Sequence, residues 1–309
     1  MTMLAGNAPL IIYVPGLLPK PEPSHHKNAL FRCLTAGIRR IDAAVADDII
    51  AAGRSFEIVS WTFDFYRMHR DFDLDSAAVD AVISLPGPGD ADIREASSWQ
   101  RRLSLRLHRL VDRFPFLIPH LVSEQTELHL RDLHRYAGNR NNIGEHTREM
   151  LKMPLRAAWK ANRPILLIGH SMGSVIAYDS LWQMSRDESD DLGIDLFLTM
   201  GSPLGQSYVQ KHIMGHADSG AARYPNNVTR WINLAAVGDM TALDPHLRDD
   251  FGEMIALGLV DSIVDDELFN YYRDGDKLDA HAEYGYLVNE KTARVIASWW
   301  RTQRPGIGD

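Results

Sequence analysis

Pro164-Ile165-Leu166-Leu167-Ile168-Gly169-His170-Ser171-Met172-Gly173-Ser174-Val175-Ile176-Ala177 is the stretch on which the reading of this chain turns. Ile165 to Ile168 is an unbroken apolar run after a proline, the pattern of a strand buried on both faces. Gly169 to Gly173 fits G-x-S-x-G. Beyond it Val175, Ile176, Ala177 and Leu181 give a helix that packs back onto the sheet. A serine at such a strand-to-helix turn sits on strained backbone with its hydroxyl projecting outward. Glycines two residues either side are required, because side chains there would collide with strand and helix. The turn also puts the Met172 N–H at a helix N-terminus, where it can donate to an anion. The bare motif also fits an ordinary glycine-containing turn; the flanking strand and helix make Ser171 a candidate nucleophile.

At 309 residues the chain could be one large α/β domain or two smaller ones, of which a single domain over 1–309 is the expected one, and 45% hydrophobic content is normal for a chain with a sizeable core. A net charge of −8 offers no basic excess, so nucleic acid is not an expected partner. The single cysteine, Cys33, excludes an internal disulfide and reads as a core residue on a helix face. The first residues lack the basic region and apolar core of a signal peptide. No apolar run approaches the ~20 residues of a membrane span, so a cytoplasmic location is expected. HExxH, a P-loop and a helix-opening G-x-G-x-x-G are all missing, so neither metal nor cofactor is expected.

Pro9 to Val14 reads as the first strand, closed by Pro15-Gly16-Leu17-Leu18-Pro19. Lys20 to Lys27, with its His25-His26 pair, reads as solvated loop. Leu30, Leu34, Ile38, Ile41, Val45 and Ile49 recur at helical spacing and predict one long helix ending at Gly53. Phe56 to Trp61 is the second strand. The segment 64–142 breaks the alternation and reads as a helical insertion, a candidate cap or lid over the strand ends. Its clearest element is an amphipathic helix over 101–114, with Leu103, Leu107, Leu110, Val111 and Phe114 on one face and five arginines mostly off it. Such a helix can lie on a membrane surface. Packing on its own domain is the preferred reading, and peripheral membrane contact is not favoured. Further strands fall at Ile194 to Met200 and Val228 to Ala235. Asp244 to Asp279 offers only a candidate strand at Leu259 to Val264, and Val288 to Trp299 closes the chain as a helix. Strands separated by helices imply a mainly parallel sheet of five or six strands flanked by helices, with its chemistry at the carboxyl ends of the strands.

A serine nucleophile needs a base, and the base needs an orienting carboxylate. In elbow-type sites the chain order is serine, acid, histidine. No carboxylate lies in the loop after the fourth strand, so the acid follows the fifth: Asp239, with Asp244 as rival. Downstream histidines are His246 and His281. His246 has little room to turn back, whereas His281 precedes the closing helix on its own loop and is the preferred base. The second oxyanion donor is expected after the first strand, where Gly16 permits close approach and Leu17 offers its N–H.

Val14-Pro-Gly-Leu, Gly169-His-Ser-Met-Gly, Thr199-Met-Gly-Ser-Pro-Leu-Gly, Trp231-Ile-Asn-Leu with Gly238-Asp-Met-Thr, and His281-Ala-Glu-Tyr together resemble the α/β-hydrolase superfamily, and within it lipase- and esterase-like serine hydrolases. The pieces are scattered over most of the chain; 64–142 matches nothing. The resemblance implies Ser171, Asp239 and His281 as triad, Leu17 and Met172 as oxyanion donors, and spatial strand order 2-1-3-4-5. Pro15 stands where the family usually has histidine, and the antiparallel hairpin that often opens the fold is missing. The function this implies is hydrolysis of carboxylic esters, small-molecule or lipid, through an acyl-enzyme on Ser171. The substrate-binding residues are not readable. An acyltransferase would use the same three residues, and a non-catalytic binding protein on the same fold is the alternative of another class.

Overall fold

Every side chain of the first strand, β1 (Leu10–Val14), is buried, and neighbours face opposite ways. Leu10, Ile12 and Val14 enter one hydrophobic cluster, Ile11 and Tyr13 the other. The computed structural model describes residues 8–113, 124–187 and 193–307. Among them β1, β2 (Phe56–Ile58), β3 (Ile165–His170), β4 (Leu196–Met200), β5 (Arg230–Ala236) and β6 (Ser262–Leu268) form one sheet, ordered β2-β1-β3-β4-β5-β6. All its pairings are parallel. The expected α/β architecture is therefore present, with β6 added beyond β5.

The principal helices, in chain order, are α1 (Pro23–Ile41), α2 (Ala43–Ala51), α3 (Trp61–Tyr66), α4 (Asp73–Ser84), α5 (Asp90–Ala96), α6 (Trp99–Arg113), α7 (Glu124–Ala137), α8 (Ile143–Lys160), α9 (Met172–Asp187), α10 (Leu247–Phe251), α11 (Glu283–Val288) and α12 (Glu290–Gln303). Leu30 and Leu34 of α1, Val45 and Ile49 of α2, and Trp299 and Trp300 of α12 cover the Ile11–Tyr13 side of the sheet. Leu151 and Leu155 of α8 and Val175, Ile176 and Leu181 of α9 cover the other. Burying both faces is what lets the strands be continuous apolar runs. Cys33 lies fully buried on α1, where burial pushes its thiol up to about 12.

Several elements differ from the sequence reading. The single helix expected through Gly53 is broken at Asp42, whose backbone is extended (φ −151°, ψ 91°) and whose carboxylate accepts the Val45 N–H at 3.1 Å. The apolar period runs straight through the break, which is why it was not visible. Helix α1 begins inside the expected loop, with Pro23 at its first turn, where the missing N–H costs nothing. His26 is consequently buried rather than solvated, while His25 is exposed. Trp61 opens α3 instead of ending β2. Strand β6 covers only the end of the Leu259 to Val264 candidate and runs on to Leu268.

The described part of 64–142 is mostly helical, carrying the end of α3 and all of α4 to α7, with non-helical stretches at 67–72 and 85–89. Leu103 and Leu107 on α6 are 48% and 44% exposed, so this apolar face looks outward. Phe114 and the 115–119 break lie outside the described residues, as do the side chains of Leu110 and Val111.

Asp42 caps α2 and also pairs with Arg301 of α12. Removing an N-cap carboxylate costs about 1 kcal/mol. In urea denaturation Asp42→Ala lowers the unfolding free energy by about that amount, whereas Asp47→Ala, at an exposed pair with Arg39, leaves the transition where it was.

Candidate active site

Ser171 follows the last residue of β3 and precedes the first of α9, with φ +53°. A non-glycine residue holds that left-handed conformation only when its surroundings force it. Here the Ser171 N–H donates to the Met200 carbonyl at 2.9 Å. Its own carbonyl accepts the Ser174 N–H at 2.9 Å and the Ser174 hydroxyl at 2.6 Å. The helix then starts against the end of β1. A Cβ on Gly173 would stand 2.0 Å from the Val14 carbonyl oxygen, so no other residue fits.

The 15–19 turn lies equally close: a Cβ on Gly16 would stand 2.7 Å from that of Ser171. Leu18 is left-handed at φ +73° and donates its N–H to the Tyr66 hydroxyl at 3.2 Å. The Trp61 indole donates to the Pro15 carbonyl at 2.9 Å. Helix α3 thus pins the turn from outside. The Leu17 N–H meets no acceptor among the described residues. Met172, first in its helix, has no intrahelical acceptor for its N–H.

Asp239 sits just past β5 with its side chain fully buried. One oxygen accepts from His281 Nδ1 at 2.9 Å and from the Tyr286 hydroxyl at 2.8 Å; the other accepts the Thr241 N–H at 2.8 Å. Burial pushes the carboxyl pKa up, but His281 and these donors more than reverse it, and the net shift is downward. For His281 burial pulls down and the Asp239 carboxylate outweighs it, so the imidazole ends above its ordinary value. With Nδ1–H committed to the carboxylate, Nε2 carries the free lone pair.

His281 is held on its other sides too. Its N–H donates to Asp279 Oδ1 at 2.9 Å, and its carbonyl accepts from His170 Nε2 at 2.9 Å. The two imidazoles lie 4.7 Å apart. His170 is buried, its Nδ1 has no partner among the described residues, and burial followed by the nearby His281 lowers its pKa to about 3. It is neutral throughout the physiological range.

Ser171, Asp239, His281, Leu17 and Met172 all line one cavity of about 760 Å³. The Ser171 hydroxyl makes no hydrogen bond among the described residues, so serine and imidazole share the cavity without a bond between them. Leu17, Leu130, Leu133, Val209 and Leu243 give the cavity an apolar wall, and Gln100, Arg101, Ser104, His108 and Lys277 a polar one. Helix α6 thus contributes its polar side to the cavity, while Leu103 and Leu107 face away. The rivals lie elsewhere. Asp244 is exposed and accepts the His246 N–H at 3.1 Å, a local turn bond. His246 lines a second cavity of about 470 Å³ with Val237 and Lys291.

His170, Thr241, Tyr286 and Glu283 were not singled out by sequence. His170 had one signal, its place inside the motif; Tyr286 had none, because its partner lies 47 residues away. Among the described residues no three His, Cys, Asp or Glu side chains are grouped to hold a metal ion, and no helix is long and apolar enough to cross a membrane. No family model, curated protein or solved structure matches the chain.

The Asp239–His281 pair sets a sign that NMR can read. The His281 ring titrates above the ordinary histidine value in the wild type and moves down in Asp239→Asn. Because the folded value of His281 is the raised one, its contribution to stability is complete below the unfolded histidine pKa and fades as pH rises through the folded one, whereas that of Asp239, shifted down, is lost as pH falls through its folded value.

Proposed function

We propose that the chain is a serine hydrolase of the α/β-hydrolase type that cleaves carboxylic esters through an acyl-enzyme on Ser171. One observation carries the reading. A strained serine, two N–H groups with no acceptor among the described residues and a histidine bonded to a buried carboxylate open onto a single cavity.

The chemistry follows from the geometry. His281 Nε2 takes the Ser171 proton as Oγ attacks the ester carbonyl. The oxygen of the tetrahedral intermediate, now negative, takes hydrogen bonds from the Leu17 and Met172 N–H groups. Asp239 stabilises the imidazolium that forms. As the intermediate collapses, His281 returns the proton to the departing alcohol and Ser171 keeps the acyl group. Water, activated by the same imidazole, then releases the acid and restores the serine. Hydrogen bonds of this kind commonly tighten only in the substrate complex, which accommodates the absence of a Ser171–His281 bond among the described residues. The base must be unprotonated, so turnover falls off on the acid side above the pH expected of an ordinary histidine.

Ser171→Ala abolishes both hydrolysis of p-nitrophenyl acetate and labelling by a fluorophosphonate, with an unchanged melting curve. Asp239→Asn lowers turnover ~10⁴-fold, the loss such a change causes in a well-studied serine protease, while Asp244→Asn stays near the wild-type rate. Wild-type turnover in Ser171→Ala would overturn the mechanism; an inactive Asp244→Asn beside an active Asp239→Asn would move the acid.

The apolar wall is the natural berth for the acyl chain. Leu130→Trp narrows it and lowers kcat/KM for an octanoyl ester by about tenfold relative to the acetyl ester. Equal losses on both would separate that wall from acyl binding.

A further inference from the structure

Glu283 is 5% exposed and two residues past His281. Its Oε2 accepts from the Tyr13 hydroxyl at 3.0 Å. Its Oε1 accepts from Lys20 Nζ at 2.9 Å and faces His26 Nε2 at 3.0 Å. Tyr13 lies at the end of β1 and Lys20 directly follows Pro19, so these two donors bracket the turn that carries Leu17. The third comes from α1. On the carboxylate's own side, the Asn270 amide donates to the Ala280 and Ala282 carbonyls at 3.1 and 2.8 Å, fixing the loop that presents His281. One side chain therefore ties both ends of the Leu17 turn to the His281 loop.

We propose that Glu283 is a positioning residue, which holds the oxyanion-donating turn and the base in register while neutralising the lysine between them. The proposal rests on the serine-hydrolase reading. Glu283 touches neither substrate nor the reacting atoms and acts through Leu17 and His281. Burial pushes its carboxyl up, but Lys20 and then His26 more than reverse this and hold it well below the usual range, so it is a carboxylate at any working pH. The titratable groups facing His281 come from four directions: Asp239 beyond β5, Asp279 on its own loop, Lys20 beyond β1 and neutral His170 at the end of β3. Tyr286, from α11, shares the Asp239 oxygen. Of these Lys20 is the ammonium that disfavours protonated His281, and Glu283 is its counter-charge.

The two partners therefore act on His281 with opposite signs. In the full-length protein, Glu283→Gln is expected to lower the His281 pKa, read from its ring proton by NMR, by about half a pH unit. Lys20→Met raises it by a similar amount, and the double variant returns it to the wild-type value. In parallel, Glu283→Gln lowers kcat on p-nitrophenyl acetate by about tenfold with little change in KM, because the misplaced Leu17 N–H acts only on the transition state. Wild-type kcat and wild-type His281 titration in Glu283→Gln would overturn the proposal, as would shifts of the same sign in both single variants. Should Glu283→Gln fail to fold, Lys20→Met decides: a raised His281 pKa supports the proposal and an unchanged one overturns it. If wild-type turnover proved independent of Ser171, the hydrolase reading would fall by itself, and the titrations, which need no turnover, would still decide whether Glu283 and Lys20 govern His281.

Discussion

Two backbones meet at Gly173 more closely than any side chain permits, and the rest of the site is arranged around that meeting. The helix start abuts the Val14 and Pro15 carbonyls, so the end of β1 and the turn after it are located by the same contact that locates Ser171. A left-handed serine is disfavoured by about 1–3 kcal/mol. It persists because the Met200 carbonyl, the Ser174 hydroxyl and the crossing of α9 over β1 leave it no alternative. The strain is thus carried by the sheet and the helix packed on one of its faces, not by the loop itself.

Deep burial handles the polar groups here in opposite ways, and the partner decides which. Asp239 and Glu283 are out of water yet ionised, because each is surrounded by donors that include a histidine or a lysine. Asp179, buried on α9 and facing the Tyr136 hydroxyl and the Met214 N–H, has no such cation in direct contact among the described residues. Burial pushes it up to about 6. His170 is the converse case, a base kept neutral beneath His281. A second imidazolium there would oppose the charge that the proposed mechanism generates on His281.

Sequence made some of this legible and hid the rest for identifiable reasons. The β3 strand and the turn after it are local: an apolar run, two glycines and a helix period all fall within fifteen or so residues. Asp239 and His281 followed from chain order alone, and the structure brings them together. The break at Asp42 was hidden because the apolar repeat continues across it. Strand β6 was hidden because Asp265, Asp266 and Glu267 spoil any apolar alternation. The described helices of 64–142 were readable as helices, but not which way α6 faces, since its outward leucines and cavity-lining polar residues invert the usual expectation. His26 and Glu283 are 257 residues apart, and nothing local marks either as the other's partner.

The same acidic residues that obscure β6 have a use in the folded chain. As the outermost strand it offers main-chain groups that a second molecule could extend into a continuous sheet. Val264 is 47% exposed there, which would favour such stacking, but Asp265 follows it at once and exposed Asp266 and Glu267 come next. Two copies approaching through this strand would bring Glu267, and Asp266 in its pair with Lys291, against their own copies in a chain already carrying −8. The opposite border of the sheet, β2, is only three residues long. Repulsion at one margin and brevity at the other discourage open-ended polymerisation of a sheet that has no barrel closure to protect it.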